Sequence, residues 1–406
     1  MRDLLPGEMA LYRRVEEAFA RVCASWGYSE IRTPTIEYLH LFSAAGTLSP
    51  QMLGRVYSFL DWDGWSGERV VLRPDATIPA VRLYVENVRS GEPARFFYVQ
   101  NVFRFSTGEE SREDWQCGVE LIGNPSPTGD IELMLLGREA LRSIGFQDVE
   151  VTLSHAGLVR AVLAQTGLDP QAQMSLYDKL LDGDLSVLRE IERRLPELHA
   201  PLHLLFDVKG GSGTYLENLR SAFAEAVPGA AQPLNELTTV SETLDRLGCP
   251  HEVQTVLVRN FEYYTGPVFE FRAAGCRLGG GGRYDGLIAL VGGESVPASG
   301  FALSLSEGVS HLNRGQCGEP ERERWLVEPA DESVITLSEA FAVAERLRSE
   351  GFAVALGGKE QDGGYRVRLR IESKGDGFAY RLLDVSSDKT TLHDSLDSAI
   401  AASRDK

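Results

Sequence analysis

Hydrophobic positions recur along the chain with a helical period in some regions and a strand period in others. Leu11, Val15 and Phe19 repeat at a spacing of four, which predicts an amphipathic helix over residues 8–26 that ends at Gly27. Further helices are predicted over residues 77–88, over 130–143 and, with glycine and proline breaks, over most of 155–247. This long helical stretch separates two regions with strand-like patterns.

Strand-like patterns are clearest around one polar loop. Residues 95–105 are rich in aromatic and β-branched side chains, residues 106–114 are polar, and residues 115–123 are again strand-like. This order predicts an antiparallel hairpin with a long tip. Other strands are predicted over residues 28–34, 69–73 and 148–153, and several more, with glycine turns, over 253–304.

The last part of the chain has a pattern of its own. Residues 314–324 are polar and aperiodic, which predicts a linker between a core at 1–313 and a small α/β domain at 325–406. In that domain we expect a strand at 325–328, a helix at 337–349, a strand at 352–356, an alternating strand at 365–371 and a short hairpin around 375–377.

The charge of the chain bears on what this small domain contacts. Arg366, Arg368 and Arg370 share one face of its alternating strand, which fits either an RNA contact or a solvated sheet edge. The formal net charge is −18. Nucleic acids bind mainly through Lys and Arg, so this acidity weighs against general RNA binding and favours the solvated edge.

The cysteines and the termini narrow the class of protein. Five scattered cysteines form no CxxC pair, so we expect no structural zinc and no other metal site. Such cysteines are typical of a protein in the reducing cytoplasm, which is where we expect this chain. No apolar run reaches the roughly 18 residues that a membrane span needs, and residues 1–6 lack an apolar signal region, so no membrane is expected.

One short run is more polar than a packing strand requires. Within 257–266, Arg259 lies close to the adjacent tyrosines Tyr263 and Tyr264, and a glycine-rich segment, 279–286, follows at short distance. That segment contributes an arginine and another tyrosine. Several arginine and tyrosine side chains within about one hairpin of sequence indicate a binding site.

These blocks resemble the catalytic core of histidyl-tRNA synthetase, a class II aminoacyl-tRNA synthetase. The matching pieces are residues 2–6, 27–34, 72–77, 103–104, 116–123, 257–266, 280–286 and 299–303. The resemblance covers roughly residues 1–312. It implies an α+β fold with an antiparallel sheet flanked by helices, a helical insertion at 155–247 and a small C-terminal α/β domain, degenerate relative to an anticodon-binding domain. It also implies a homodimer formed near Gly27–Pro34.

The resemblance assigns a histidine pocket residue by residue. The residues that it implies hold the amino acid are Asp75, Thr77, Arg104, Gln116, Glu120, Arg259, Tyr263 and Tyr264. The types suit the ligand, because an ammonium needs oxygen acceptors and an imidazole with two N–H groups needs an acceptor at each end. An arginine suits the carboxylate of the ligand.

Several of these residues also have an ordinary structural interpretation. Glu120 fits a partly buried acid paired with Arg104 or Arg259. The tyrosine pair fits core packing with satisfied hydroxyl groups. Asp75 fits a cap for the helix that follows it. The joint match of the whole set is what favours a pocket.

The nucleotide side departs from the synthetase pattern. In synthetases an acid follows two residues after the arginine that matches Arg104, whereas this chain has Ser106, followed by a shorter, acidic hairpin tip. The arginine that clamps the γ-phosphate is replaced by Glu307. A carboxylate cannot replace bidentate arginine binding to phosphate. We therefore expect no cofactor and no catalysis by this chain.

The sequence leaves three functions open. The first, which the pattern favours, is the synthetase-like regulatory subunit of ATP phosphoribosyltransferase, in a hetero-oligomer with a short-form catalytic chain and with L-histidine as ligand. The second is an active histidyl-tRNA synthetase. The third is an RNA-binding or nutrient-sensing paralogue; tRNA binding is not expected for the favoured function.

Overall fold

The computed structural model describes most of the chain. The described residues are 3–44, 54–62, 67–89, 91–106, 111–124, 127–181, 184, 186–199, 202–203, 213–254, 263–312, 324–357, 364–375 and 377–404. Contacts between Cα atoms divide the chain into a first unit, Met1–Asn313, and a second unit, Arg314–Lys406. Of the expected linker, residues 314–323 lie outside the described residues, and Arg324 already belongs to a strand.

Both units contain helices and strands. The helices are α1 (Pro6–Ser25), α2 (Leu39–Ala44), α3 (Thr77–Asn87), α4 (Thr128–Ile144), α5 (Ala156–Gln165), α6 (Pro170–Leu181), α7 (Ser186–Arg194), α8 (Gly213–Phe223), α9 (Ala231–Arg246), α10 (Leu287–Leu290), α11 (Leu305–His311), α12 (Val334–Ser349) and α13 (Leu396–Arg404). Short 3₁₀ turns lie at Pro196–Leu198 and Pro228–Ala230. No helix in the described ranges combines the length and apolarity that crossing a membrane would take.

The first unit contains eleven described strands in two sheets. They are β1 (Ser29–Glu30), β2 (Ile36–Tyr38), β3 (Ser58–Trp62), β4 (Gly67–Leu72), β5 (Ala94–Phe103), β6 (Glu113–Ile122), β7 (Glu150–His155), β8 (His251–Val253), β9 (Pro267–Ala273), β10 (Cys276–Arg283) and β11 (Ala298–Ser304). The large sheet has the order β1-β5-β6-β11-β10-β9-β7-β8. Its β1/β5 and β7/β8 pairs are parallel, and the other pairs are antiparallel. This mainly antiparallel sheet, together with the helices of the unit, agrees with the predicted α+β class.

Local chemistry explains several of these elements. Pro6 opens α1, where its missing N–H costs nothing, and Gly27, at φ 81°, follows the end of the helix in a conformation that suits glycine. The glycine run Gly279–Gly282 lies inside β10 rather than in a turn. A Cβ at Gly281 would collide with the backbone of β11, so the two strands approach as closely as they do only because this residue is glycine.

A second, three-stranded sheet was not predicted. It has the order β2-β4-β3, and only the strand at 69–73 was expected from the sequence. β2 has only three residues, with its apolar side chains exposed and Glu37 buried, and β3 is exposed along its whole length. Neither therefore shows the apolar-in, polar-out alternation that reveals a strand.

The second unit is a five-stranded sheet with two helices. Its strands are β12 (Arg324–Pro329), β13 (Ala353–Leu356), β14 (Val367–Lys374), β15 (Gly377–Asp384) and β16 (Lys389–His393), in the order β13-β12-β14-β15-β16. Trp325 is fully buried in a core with residues of both α12 and α13. The prediction of a sheet edge at 365–371 is wrong: β14 lies between β12 and β15, and its arginines occupy the face opposite that core.

Candidate functional site

A cleft of about 350 Å³ opens on the large sheet of the first unit. It is lined by side chains from the loop between β4 and α3, from β6, from the segment that leads into β9, and from β10 and β11. Six of the eight residues expected to hold histidine line it, namely Asp75, Thr77, Arg104, Gln116, Tyr263 and Tyr264. Arg259 lies outside the described residues, and Glu120 is placed differently from the other six.

Asp75 and Thr77 enter the cleft from the start of α3. Both are more than nine-tenths buried. Oδ1 of Asp75 accepts a hydrogen bond from the backbone N–H of Ile78 at 3.1 Å, so Asp75 caps the helix as well as lining the cleft. Burial raises the pKa of Asp75, and the Ile78 amide and the charge of Arg104 partly offset this effect.

Gln116 supplies an unused acceptor. It lies on β6, is 8% exposed and lines the cleft. Its Oε1 is buried and accepts no hydrogen bond from any described residue. A buried acceptor without a donor is costly, so this atom is poised for a ligand or water that carries N–H or O–H groups.

Glu120 lies beneath the cleft rather than in its wall. It shares a face of β6 with Gln116, yet it is completely buried. Oε1 accepts from the hydroxyl of Tyr98 at 3.0 Å, and Oε2 accepts from the hydroxyl of Tyr284. Burial raises the pKa of Glu120 to about 8, although these hydrogen bonds act in the opposite direction. Of the two expected arginine partners, Arg104 forms no hydrogen bond or ion pair with Glu120 within the described residues and donates to Pro74 instead, whereas Arg259 lies outside the described residues.

Two glycines make room for this buried acid. Gly300 on β11 is directly opposite Glu120, and a Cβ at that position would overlap the Glu120 carboxyl group. Gly118 is opposite Tyr98, and a Cβ there would overlap the Tyr98 ring. Strand β11 thus meets Glu120 at a glycine, and the Tyr98 ring of β5 lies over a glycine of β6, so neither position has room for a side chain.

Three tyrosines form an aromatic wall. The Tyr263 and Tyr264 ring centroids are 5.0 Å apart, and Tyr284 meets Tyr263 edge-on at 5.8 Å. All three are buried to more than nine-tenths. Burial raises the pKa values of Tyr263 and Tyr284 well above their ordinary value, so both hydroxyl groups keep their protons.

We call the part of the cleft lined by Asp75, Thr77, Gln116, Tyr263 and Tyr264 the tyrosine half. The part lined by Asp114, Ser304 and Glu307 is the acidic half. Arg104 acts on both, since its charge partly offsets the burial that raises the pKa of Asp75 and of Asp114. Its Nε donates to the carbonyl of Pro74 at 3.0 Å, which fixes the guanidinium.

The acidic half is built around the start of α11. The Ser304 hydroxyl caps the helix by accepting from the N–H of Glu307 at 3.2 Å, and it donates to Oδ1 of Asp114 at 3.0 Å. Burial raises the pKa of Asp114, and Glu307 raises it further. The Glu307 side chain is 59% exposed and lies 3.6 Å from His311. Ser106 and residues 111–114 of the acidic tip are described, but residues 107–110 lie outside the described residues.

Two arginines in the cleft were not expected from the sequence. Arg55 and Arg277 both line it. Arg277 is paired with Glu270, with 2.9 Å between Nε and Oε1, so much of its charge is already neutralised. Only the register of β9 against β10 brings this arginine to the cleft, and the glycines beside it carry no alternation from which that register could be read.

Arg283, which the sequence groups with the tyrosines, is directed elsewhere. Its guanidinium donates to Asp130 at 2.5 Å and to Glu236 at 2.8 Å. Glu236 also lies 3.3 Å from Nε2 of His155, and the hydrogen bond with His155 lowers the pKa of Glu236 to about 2. This buried network joins α9 of the helical region to β10 and α4; it does not line the cleft.

Comparison with known proteins places the chain among histidyl-tRNA synthetase-like proteins. The family model for histidyl-tRNA synthetase matches residues 1–307. An ATP phosphoribosyltransferase regulatory subunit of Dehalococcoides mccartyi is 43% identical over 392 residues, which cover 96% of this chain and 93% of that protein. A histidine–tRNA ligase of Archaeoglobus fulgidus is 32% identical over 371 residues, covering 87% of this chain and 84% of that protein.

A solved structure agrees with these relatives. The crystal structure described as an ATP phosphoribosyltransferase regulatory subunit/histidyl-tRNA synthetase from Bacillus halodurans superposes with a TM-score of 0.72 at 27% identity. The match covers 88% of this chain and 91% of that chain. It therefore extends over almost the whole length of both proteins.

Proposed function

The chain belongs to the histidyl-tRNA synthetase-like family of ATP phosphoribosyltransferase regulatory subunits, and we propose that it binds L-histidine in the tyrosine half of its cleft without catalysing a reaction itself. The observation that carries this proposal is the contrast within one cleft. The tyrosine half has the acceptors for an amino acid, whereas the acidic half has a carboxylate, Glu307, where a synthetase has its γ-phosphate clamp.

The ammonium group of histidine would be held by oxygen atoms of the tyrosine half. Gln116 offers an acceptor that no described residue uses, and Asp75 offers its second carboxylate oxygen. Thr77 lines the same cleft, and its hydroxyl oxygen can also accept a hydrogen bond. Three oxygen acceptors match the three N–H donors of an ammonium group. Arg104 would pair with the carboxylate of the ligand.

The imidazole would be recognised through the tyrosine wall. Both oxygens of Glu120 are occupied by tyrosine hydroxyls, so Glu120 acts on the ligand through Tyr284 unless the ligand displaces that hydroxyl. While the Tyr284 hydroxyl stays bonded to Glu120, this acid fixes the Tyr284 ring, and Tyr263 packs against that ring edge-on. An aromatic wall with fixed hydroxyl groups suits a flat, hydrogen-bonding ring.

The acidic half disfavours the chemistry of a synthetase. Activating histidine requires a triphosphate, whose charge must be met by cations. Glu307 and Asp114 instead place carboxylates beside the start of α11, and Arg277 is already paired with Glu270. Like charges repel, so a triphosphate would bind weakly here.

Assembly would involve two kinds of interface. The three-stranded sheet exposes Tyr38 and Phe59 on one face and Leu60 and Trp62 on the other, and these exposed apolar side chains suit burial against a second copy of this chain. The homodimer would in turn bind the short-form catalytic ATP phosphoribosyltransferase, in a cytoplasmic hetero-oligomer whose activity requires this chain. Histidine would inhibit by binding one assembly state more tightly than the other.

One set of assays tests the proposal against its rival. The purified chain is assayed for histidine-dependent pyrophosphate exchange, then mixed with the short catalytic chain and assayed for ATP phosphoribosyltransferase activity with and without histidine. We expect no exchange, activity only in the mixture, and inhibition by histidine. Exchange by this chain alone would instead establish the synthetase function, and salt-sensitive tRNA binding without activation of the catalytic chain would favour the RNA-binding alternative.

A further inference from the structure

Three donor side chains converge in the helical region of the first unit, away from the cleft. Nδ1 of His199 lies 3.2 Å from Oε1 of Glu192, and Nε2 of His203 lies 3.9 Å from the same oxygen. One donor atom from each residue lies within 4.8 Å of the other two. We propose that Glu192, His199 and His203 form a binding site for a divalent transition-metal ion, zinc in the first place.

The positions of the three donors are fixed by core packing. Glu192 follows Ile191, His199 follows Leu198 and His203 follows Leu202. Each of these preceding residues is at most 2% exposed. Because each metal-binding residue directly follows a buried apolar residue, burial of that residue fixes the backbone position from which the metal-binding side chain extends. The donors are therefore held more firmly than exposed side chains on an unanchored surface would be.

The distances suit a four-coordinate ion. Zinc lies about 2.0–2.2 Å from imidazole nitrogen and carboxylate oxygen, so two ligands of a tetrahedral site lie about 3.3–3.5 Å apart. The separations of 3.2 and 3.9 Å from Oε1 of Glu192 fall on either side of this value. The two imidazole rings are 4.5 Å apart between centroids and inclined at 74°, so their nitrogens can approach one ion without the rings overlapping. Water would complete the coordination.

The donor set also selects the kind of metal. Two imidazoles and one carboxylate suit zinc, copper, nickel or cobalt, whereas magnesium and calcium prefer oxygen ligands alone. The simpler alternative is a carboxylate that accepts hydrogen bonds from two histidines. Exposed pairs of that kind add little stability, and a second imidazole beside the same oxygen adds little more.

Another histidine in the first unit has a different arrangement. His311 lies 3.8 Å from the sulfur of Cys276 through Nδ1 and 3.6 Å from Glu307 through Nε2. These contacts use nitrogens at different positions of one ring, so the thiol and the carboxylate do not meet at a single point beside it. This cluster lacks the convergence of the proposed site.

Zinc binding is measured on the full metal-free chain by competition with a chromogenic chelator. We expect one zinc ion per chain, with an affinity lowered by at least about tenfold in His199→Ala and in His203→Ala; loss of a group that merely supports a ligand already costs roughly 10–100-fold. His393→Ala is the matched control, because it removes a histidine of the second unit and should leave zinc binding unchanged. Equal affinity in the wild-type chain and in His199→Ala would overturn the proposal.

Two further readouts separate this site from the cysteine cluster and from misfolding. Cobalt in place of zinc should give a tetrahedral spectrum without a thiolate charge-transfer band; such a band would assign the ion to Cys276 and overturn the proposal. Zinc should raise the melting temperature of the wild-type chain but not of His203→Ala, since an ion stabilises only a fold that binds it. The His199 and His203 side chains are 64% and 56% exposed, so truncating them leaves the core intact.

Discussion

The tyrosine half and the acidic half of the cleft share one sheet but differ in how their side chains are held. In the tyrosine half, Gln116 has a buried oxygen without a donor and Glu120 is enclosed by two tyrosine hydroxyls. In the acidic half, Ser304 and Asp114 satisfy one another at the start of α11. The tyrosine half thus has an acceptor that a ligand can use, whereas Ser304 and Asp114 of the acidic half already form hydrogen bonds with each other and with the start of α11.

The largest effect should come from filling the space beneath the tyrosine half. In Gly300→Ala, the added methyl group would overlap the Glu120 carboxyl group and the Val119 carbonyl, so β11 must move away from β6. We expect a loss of about 1–3 kcal/mol in the free energy of unfolding, as for other overpacked cores, together with loss of histidine binding. Urea denaturation and calorimetric titration with histidine measure the two effects.

The matched control is the same substitution next to the acidic half, one residue after Glu307. Gly308 lies in α11, and a Cβ at that position meets no atom within 4 Å. Gly308→Ala should be neutral, or stabilising by up to about 1 kcal/mol, because alanine is the better helix former. Equal destabilisation by the two substitutions would contradict the claim that the tyrosine half is the tightly built one.

Removing one charge from each half should change histidine affinity unequally. In Asp75→Asn the helix cap survives, since asparagine also caps helices, but the charge that would face the ammonium is lost. We expect the affinity for histidine to fall by roughly 10–100-fold, the size of a charged hydrogen bond. Glu307→Gln should leave the affinity nearly unchanged. Calorimetric titration of both variants with histidine measures the two affinities. Equal losses of affinity in both variants would mean that histidine does not bind in the tyrosine half alone.

Sequence reasoning predicted the residues of the tyrosine half better than their arrangement. Asp75, Gln116 and the tyrosine pair were assigned by the resemblance to histidyl-tRNA synthetase, and all of them line the cleft. Glu120 was expected to touch the ligand, but whether it is exposed or enclosed depends on Tyr98 of the neighbouring strand. That contact is set by cross-strand register, which the sequence of one strand does not determine.

Arg283 and the glycine run before it show the same limit. Adjacent residues in a strand face opposite ways, so an arginine next to a tyrosine in sequence need not share its site. Arg283 forms ion pairs with Asp130 and Glu236, whereas Tyr284 faces Glu120. The glycines of 279–282 have no side chains, so no alternation was available to indicate which way the following residues point.

The pH dependence of stability provides a third test, because the acid buried beneath the tyrosine half, Glu120, has a raised pKa. Burial raises the pKa of Glu120 to about 8 from an ordinary value of 4.5. Between these values the folded chain holds a proton that the unfolded chain releases. The stability that this proton provides is present in full at low pH and is lost as pH rises towards and through 8.

Glu120→Gln removes this titration while keeping a side chain of similar shape. Wild-type stability should fall between pH 6 and pH 9 by an amount on the order of 1–3 kcal/mol that the variant does not lose. Urea unfolding of both chains at the two pH values gives the difference. A wild-type chain whose stability changes no more than that of Glu120→Gln would show that the acid is not buried as described.

The smallest effect should come from restoring a positive charge to the acidic half. Glu307→Arg replaces an exposed side chain, so its effect on stability should stay within about 0.5 kcal/mol, even though an arginine would repel a protonated His311. The affinity for histidine should remain that of the wild-type chain. One arginine opposite Asp114 does not rebuild a triphosphate site, because the buried carboxylate and its serine partner remain in place. Pyrophosphate exchange should therefore stay absent. Its appearance in this single variant would mean that the acidic half is one substitution away from a working nucleotide site and that Glu307 alone separates the two halves.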